Sequence, residues 1–443
     1  MSLKGVSLRT CSVILLLCGL IISCGKPGPG GLFKKRSPHQ IYAQRLKDSG
    51  FDRTVMGSAW LKIADSSLSK PTSISVPYKE TGYFASEKVQ AAAFRFEAKQ
   101  GEKLTVSLDR RPADNFKIYL DLFDVASGDE PSLVGFADTS SSTFTYDVDD
   151  TGFYLLRLQP ELLSGGEYTM TITNGPSMAY PIKAPGSNHI KSFWGDGRDA
   201  GSRMHEGIDL FAPFHTPVIA AAEGVISRVN ENRLGGKVVW LRPSGKDYRL
   251  YYAHLDTQLV RDGQRVSLGD TLGLMGNTGN ARTTPPHLHF GIYTFGGAVD
   301  PLPFVKPVTR KPDDVRSPLE RLNATVRLEN RNSQLYSSPD RTSVLLNLPL
   351  QTIMLVNAAS GNMYKATLPD GLTGYVSSDA VRPAVKALRQ YRLSADRPLF
   401  DLPVSSAARK RVVSLGNSVD ILGHFGEYYF VSDNEGVKGW IRK

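Results

Sequence analysis

From about residue 74 onward the apolar stretches are short and alternate with polar residues, and a period of two excludes a helical body for most of the chain. Phe94-Arg95-Phe96 and the runs at 103–108, 118–123, 154–158 and 168–172 are divided by turn residues. That spacing is typical of a β-sandwich. Residues 180–305 are rich in glycine and in strand formers, and the tail beyond 324 again consists of short strands. Only upstream does the period lengthen. Ile41, Leu46, Val55, Trp60, Leu61 and Ile63 suggest two short helices broken at Gly50, the first capped by Ser37 with Pro38 at its first position. A chain of 443 residues is too long for one core and implies three or four folded units, so the expectation is a mainly β, multi-unit protein.

The first residues bear on compartment. Lys4 and Arg9 precede an apolar stretch, 13–22, that is too short to span a bilayer, which reads as an export signal over residues 1–23. Ile21-Ile22-Ser23-Cys24 resembles a bacterial lipobox, in which the cysteine after the cleavage point is acylated. Cys24 is then the expected lipidation site and membrane anchor. Residues 24–36, rich in Gly, Pro and Lys, are the tether. The three cysteines are Cys11, Cys18 and Cys24, so cleavage would leave one and permit no internal disulfide. The basic segment after Cys24 lacks an acidic export tag, which favours a periplasm-facing location over the cell surface. The formal charge of +10 suits anionic partners such as lipid headgroups or wall polymers. Lys and Arg are scattered without interleaved aromatics, however, so no nucleic-acid partner is expected.

The expected units are a helical segment (37–70), a β-sandwich (71–176), a central domain (177–306), a linker (307–323) and two repeats (324–383 and 384–443). The repeats emerge on self-comparison. Leu335-Tyr336 with Pro339 matches Leu399-Phe400 with Pro403, Gly361 with Met363-Tyr364 matches Gly426 with Tyr428-Tyr429, and Gly374-Tyr375-Val376 matches Gly439-Trp440-Ile441. Core packing is the expected role for most of these aromatics.

The sandwich stretch holds no titratable cluster suited to chemistry; the central domain does. Its segments are His205-Glu206-Gly207-Ile208-Asp209, Tyr252-Ala253-His254-Leu255 and His287-Leu288-His289-Phe290. In an extended chain alternate side chains share a face. His205 then sits with Asp209, and His287 with His289, while Ile208, Leu210, Leu288, Phe290 and Ile292 point to a core. By the same rule His254 faces with Tyr252, opposite Tyr251, Ala253 and Leu255. A buried structural histidine needs one partner, which does not account for four histidines and an aspartate placed this way. Imidazole and carboxylate without thiolate suit Zn²⁺, and three protein ligands leave a position for water. This is not a helical His-Glu-x-x-His site, so Glu206 is expected to be structural or to face solvent, and the general base to be a further histidine.

Together these segments resemble the lysostaphin-type (M23) zinc metallopeptidases. His205-Glu206-Gly207-Ile208-Asp209-Leu210 with Pro213, Thr216-Pro217-Val218, Ala220 and Gly224 is similar to that family's first motif, and Tyr252-Ala253-His254-Leu255 to its second. Gly269-Asp270, Gly273, Gly276-Asn277-Thr278-Gly279 and Pro286-His287-Leu288-His289-Phe290 are similar to its third. The resemblance covers about 125 residues in three separated segments. It implies an antiparallel β-sheet domain with a zinc groove, one Zn²⁺ per chain held by His205, Asp209 and His289. His254 and His287 would position the water, accept its proton and stabilise the oxyanion, with His287 favoured as base. His215 departs from the pattern, standing where the family usually has glycine before Thr-Pro, and should be strained there. His39, His189 and His424 belong to no motif and are expected at the surface. The sandwich, with Thr151-Gly152-Phe153-Tyr154, resembles pre-peptidase domains, and the repeats resemble bacterial SH3-like barrels.

The implied activity is hydrolysis of peptide cross-links in bacterial peptidoglycan, as in murein D,D-endopeptidases. The alternative is a non-catalytic wall-binding regulator of other hydrolases, a class in which ligand residues are lost, whereas all five are kept here. The bond cleaved and the oligomeric state stay open.

Overall fold

The computed structural model describes residues 35–125, 130–184, 189–198, 201–307 and 310–443. The expected signal, Cys24 and nearly all of the tether lie outside the described residues. Everything below belongs to the unit Arg36–Lys443. Among the described residues no helix is long and apolar enough to cross a membrane.

Two helices open it, Pro38–Asp48 and Val55–Ser69, separated by Gly50 in the left-handed region at φ 71°. Ser37 caps the first with a full capping box. Its hydroxyl accepts from the Gln40 backbone, and the Gln40 side chain accepts from the Ser37 backbone. Trp60 of the second helix is buried with Leu46 and Tyr119. The helices therefore cover the outer face of a five-stranded sheet ordered Thr72–Ser73, Ala92–Ala98, Gly152–Pro160, Ile118–Val125, Ser132–Phe136. This covering explains why Ile118–Val125 is buried on both faces: Leu120 and Leu122 enter the sandwich core, while Tyr119 and Asp121 lie under the helices.

His39 sits in that layer, not at the surface as expected. Its Nε2 donates to Gln159 Oε1 at 2.7 Å, and its Nδ1 accepts from Arg157, 3.0 Å away. Its ring stacks on Trp60 at 4.7 Å between centroids. Arg157 also binds Asp121 at 2.6 Å. Burial, then the Arg157 charge, lowers the His39 pKa to about 4, against the opposing pull of Asp121. The partners stand about 120 positions away in sequence, so no local pattern could reveal them.

The second sandwich sheet, Thr143–Asp147, Glu102–Arg111, Gly166–Pro176 and Tyr78–Phe84, does not end at its fourth strand. Tyr78–Phe84 pairs with Ile353–Ser360 of the first C-terminal repeat (Thr81 opposite Ala359, Gly82 opposite Ala358), and the sheet runs on to eleven strands. Beneath the junction Glu80 is fully buried and accepts from Tyr78 and Tyr168, each at 2.7 Å. Tyr78 meets Tyr375 at 3.1 Å, and Lys365 lies 4.7 Å over the Phe94 ring. Burial lowers the Lys365 pKa, opposed by Glu80.

The second repeat forms its own six-stranded sheet. The sequence repeat reappears as pairing: Tyr336 opposes Tyr375 in one copy as Phe400 opposes Trp440 in the other. Tyr364, Tyr375, Phe400 and Trp440 are buried; Tyr336 and Tyr429 are half-buried. His189 and His424 are also half-buried.

The central block is a ten-stranded sheet whose main path runs Ile190–Ser192, Ile208–Phe211, His287–Thr294, Arg249–Gln258, Gly236–Pro243, Gly224–Asn232, Arg265–Val266. One face packs Ile208, Leu210, Leu250, Tyr252, Leu288, Phe290 and Ile292 into a core; the other lines a groove. The block begins and ends in one place, where Met178 N–H donates to Phe304 C=O at 2.9 Å.

Candidate metal centre and active site

Antiparallel pairing sets Asp209 opposite His289 and Phe211 opposite His287, and Ala253 lies opposite His289 on the other side. Side chains of opposed residues project from the same face, so the core alternation carries polar groups to the groove. His205 lies just before its strand, held by His205 N–H to Asp196 C=O at 2.8 Å and Gly195 N–H to His205 C=O at 2.9 Å. Gly207 makes the approach possible: a Cβ there would lie 2.6 Å from the Phe290 carbonyl oxygen and 2.7 Å from the His289 ring.

His254 breaks the simple alternation. Tyr252 is in the core, its hydroxyl accepting from Ala221 N–H at 3.0 Å. His254 lines the groove with Tyr251 and Ala253, contrary to the expectation that it faces with Tyr252. The cause is a bulge. Lys237 opposes Leu255 while Val239 opposes Tyr252, leaving an extra residue on the second strand, and His254 adopts φ 63°.

The three atoms that face one another are His205 Nε2, Asp209 Oδ1 and His289 Nδ1. Their separations are 2.9 Å between the imidazoles, 3.0 Å from His205 to Asp209 and 3.1 Å from His289 to Asp209. All three side chains are largely buried. Burial raises the Asp209 pKa, but the close imidazoles of His205 and His289 outweigh it and hold the carboxyl well below its usual range. Burial lowers the His289 pKa against the pull of Asp209. His205 Nδ1–H donates to Phe193 C=O at 2.8 Å, which leaves Nε2 with its lone pair inward. Two imidazole nitrogens and one carboxylate oxygen converging on a point fit a divalent cation, and the donor set, lacking thiolate, suits Zn²⁺.

Beside this trio stand His254 and His287, ring centroids 4.9 Å apart. His254 Nδ1 lies 2.9 Å from Thr278 C=O, and His287 Nδ1 lies 2.9 Å from Pro285 C=O. A carbonyl only accepts, so in both rings Nδ1 carries a proton, and in the neutral imidazole Nε2 is the bare nitrogen. Burial, with His287 and His289 close by, lowers the His254 pKa to about 4. Thr278, in the third segment, also accepts Lys237 N–H and donates to Leu255 C=O, tying the bulge in place.

The groove holds about 570 Å³. Trp240, Tyr251 and Tyr293 pack together along one wall, and Lys191, Arg198 and Arg203 also line the groove. The sequence reading missed these walls and the bond from Arg198 to Asp209 at 2.7 Å. The cross-strand pair Trp240–Tyr251 was the available signal, since aromatics on the polar face of a strand need a use. Glu206 is exposed, 3.4 Å from the Tyr293 hydroxyl. His215 sits at φ 66°, bonded to Asp256 at 3.1 Å and outside the metal trio.

Residues 203–301 match the model for peptidase family M23. An L-Ala–D-Glu endopeptidase of Bacillus subtilis is 34% identical over 140 residues, 29% of this chain and 43% of its own length. A peptidoglycan DD-endopeptidase of Vibrio cholerae, ShyC, is 42% identical over 88 residues, 20% of each chain. An uncharacterized lipoprotein of Escherichia coli, YgeR, is 39% identical over 109 residues, 24% of this chain and 42% of its own. The chain thus spans less than half the length of each of these relatives.

Proposed function

We propose that this protein is a zinc-dependent endopeptidase that hydrolyses peptide cross-links of bacterial peptidoglycan. The observation that carries the reading is the pairing, in one open groove, of a His-Asp-His trio with two histidines that present bare Nε2 atoms. The M23 match over the same residues and the peptidoglycan endopeptidases among the relatives support it.

In this reading His205, Asp209 and His289 hold one Zn²⁺. Bound there, zinc supplies Lewis acidity and lowers the pKa of water to about 7. The protein does the rest. The aromatic residues lay an extended peptide along the groove, with its scissile carbonyl carbon beside the water that the bare nitrogens face. The bare Nε2 of His287 or His254 takes the proton of the attacking water; the ring that has gained it donates to the developing oxyanion and then gives the proton to the leaving amine as the C–N bond breaks. The two rings are held alike, each by a backbone carbonyl, so the geometry does not rank His287 above His254 as base.

The finer proposals follow from sequence and from the relatives. Cys24 is the lipid anchor of a membrane-attached, periplasm-facing protein, and the C-terminal repeats are SH3-like modules that hold it to the wall. Replacing Cys24 with Ser should release the protein from sedimented membranes. The activity is tested by incubating the soluble form with purified muropeptides and identifying products by mass spectrometry. Loss of cross-linked dimers with release of monomers is expected; intact dimers with zinc-loaded protein would sink the enzymatic reading.

A further inference from the structure

The carboxylate of Asp209 has two oxygens, and they are used differently. Oδ1 faces His205 and His289, whereas Oδ2 accepts from Arg198 Nη2 at 2.7 Å. The same nitrogen donates to Ser192 Oγ at 2.6 Å, so the guanidinium is anchored at both ends of its reach. Ser192 in turn donates to Asp196 at 2.9 Å, and Asp196 accepts Phe193 N–H at 2.7 Å, which closes the 192–196 turn. That turn aims Phe193 C=O at His205 Nδ1. One short segment therefore touches the outer atoms of both first-segment groups.

We propose that Arg198 is a positioning residue, which confines Asp209 to a single ligating oxygen. This rests on the zinc reading above. A free carboxylate can bind a metal through one oxygen or two, and a second oxygen would occupy the position that a water and substrate need. A charge-assisted bond of 2.7 Å to a guanidinium, itself held by Ser192, keeps Oδ2 turned away. The Phe193 carbonyl does the equivalent for His205 by holding its Nδ1 proton. The segment 192–198 is thus the outer frame of the centre.

The test uses the full chain and zinc alone, read by chelator competition and by zinc-edge X-ray absorption. Arg198→Met should weaken zinc binding roughly 10–100-fold and add an oxygen to the metal's nearest shell. The melting temperature of the metal-free protein should stay at the wild-type value. Arg198→Lys, which keeps a charged donor, should recover part of the affinity. Wild-type affinity and an unchanged absorption edge in Arg198→Met would overturn the proposal. Should the metal-free Arg198→Met protein unfold, Ser192→Ala decides: weaker zinc binding supports the frame, and unchanged binding overturns it. If the wild-type chain itself takes up no zinc, the metal reading falls with it, a result distinct from equal affinities in the two proteins.

Discussion

At the scale of single residues, the proposed mechanism divides the centre into groups that would hold the metal and groups that would react. Asp209→Ala removes one of three converging atoms and should lose both stoichiometric zinc and hydrolysis, by metal analysis and turnover. His287→Ala leaves the trio whole and should keep zinc while losing about 10²–10⁴ in rate. His39 is a different test, of stability. Its folded pKa of about 4 lies below the ordinary 6.5. The folded state therefore binds fewer protons than the unfolded one between those values, and stability present at neutral pH is lost as pH falls from 6.5 through 4. The loss from pH 7.5 to pH 5 should be about 2 kcal/mol, seen as a falling melting temperature. In His39→Phe, which keeps a ring against Trp60 but cannot titrate, that part of the acid sensitivity should vanish. An identical pH profile would refute the assignment.

At the scale of elements, Gly207 and the His254 bulge set what the strands can bring together. Gly207→Ala would press a methyl against the Phe290 carbonyl and the His289 ring. We expect a loss of about 1–3 kcal/mol with weaker zinc binding, checked by melting and chelator competition; wild-type values in both would contradict it. Most of the strand content was legible, because alternation of apolar and polar residues is a local property and the core uses it directly. The facing of His287 with His289 followed from that rule alone. The facing of His254 did not. A single left-handed residue shifts every side chain after it, and the bulge is maintained by Thr278 from a loop distant in sequence. His39 was illegible for the same reason: its partners are brought near by the sheet, not by sequence. Arg198 was hidden because its partner Asp209 lies across a hairpin whose register no period predicts.

At the scale of the molecule, the expected border between sandwich and first repeat is crossed by a continuous sheet. Cutting the chain after residue 316 would strip Tyr78–Phe84 of its neighbour and leave Tyr78 and Glu80 without Tyr375 and Lys365 above them. Such a truncation should lower the melting temperature and promote association through the bared edge, measured by thermal unfolding and size-exclusion chromatography. Removal of the second repeat alone leaves that edge covered and should not promote association through it, although it uncovers Ile353 and Ala384, which pack against Phe400, Leu422 and Trp440. Among the described residues, none of either repeat lines the groove. The same junction also sets a timetable. Lys79 and Ser360, bonded across it, are 281 residues apart in the chain. At synthesis rates of about 5–20 residues per second, the strand at residue 78 emerges roughly 15–55 s before the strand that completes its sheet. The whole block that carries the His-Asp-His trio is made in the interval, so the groove can be finished while the body that carries it still waits to close.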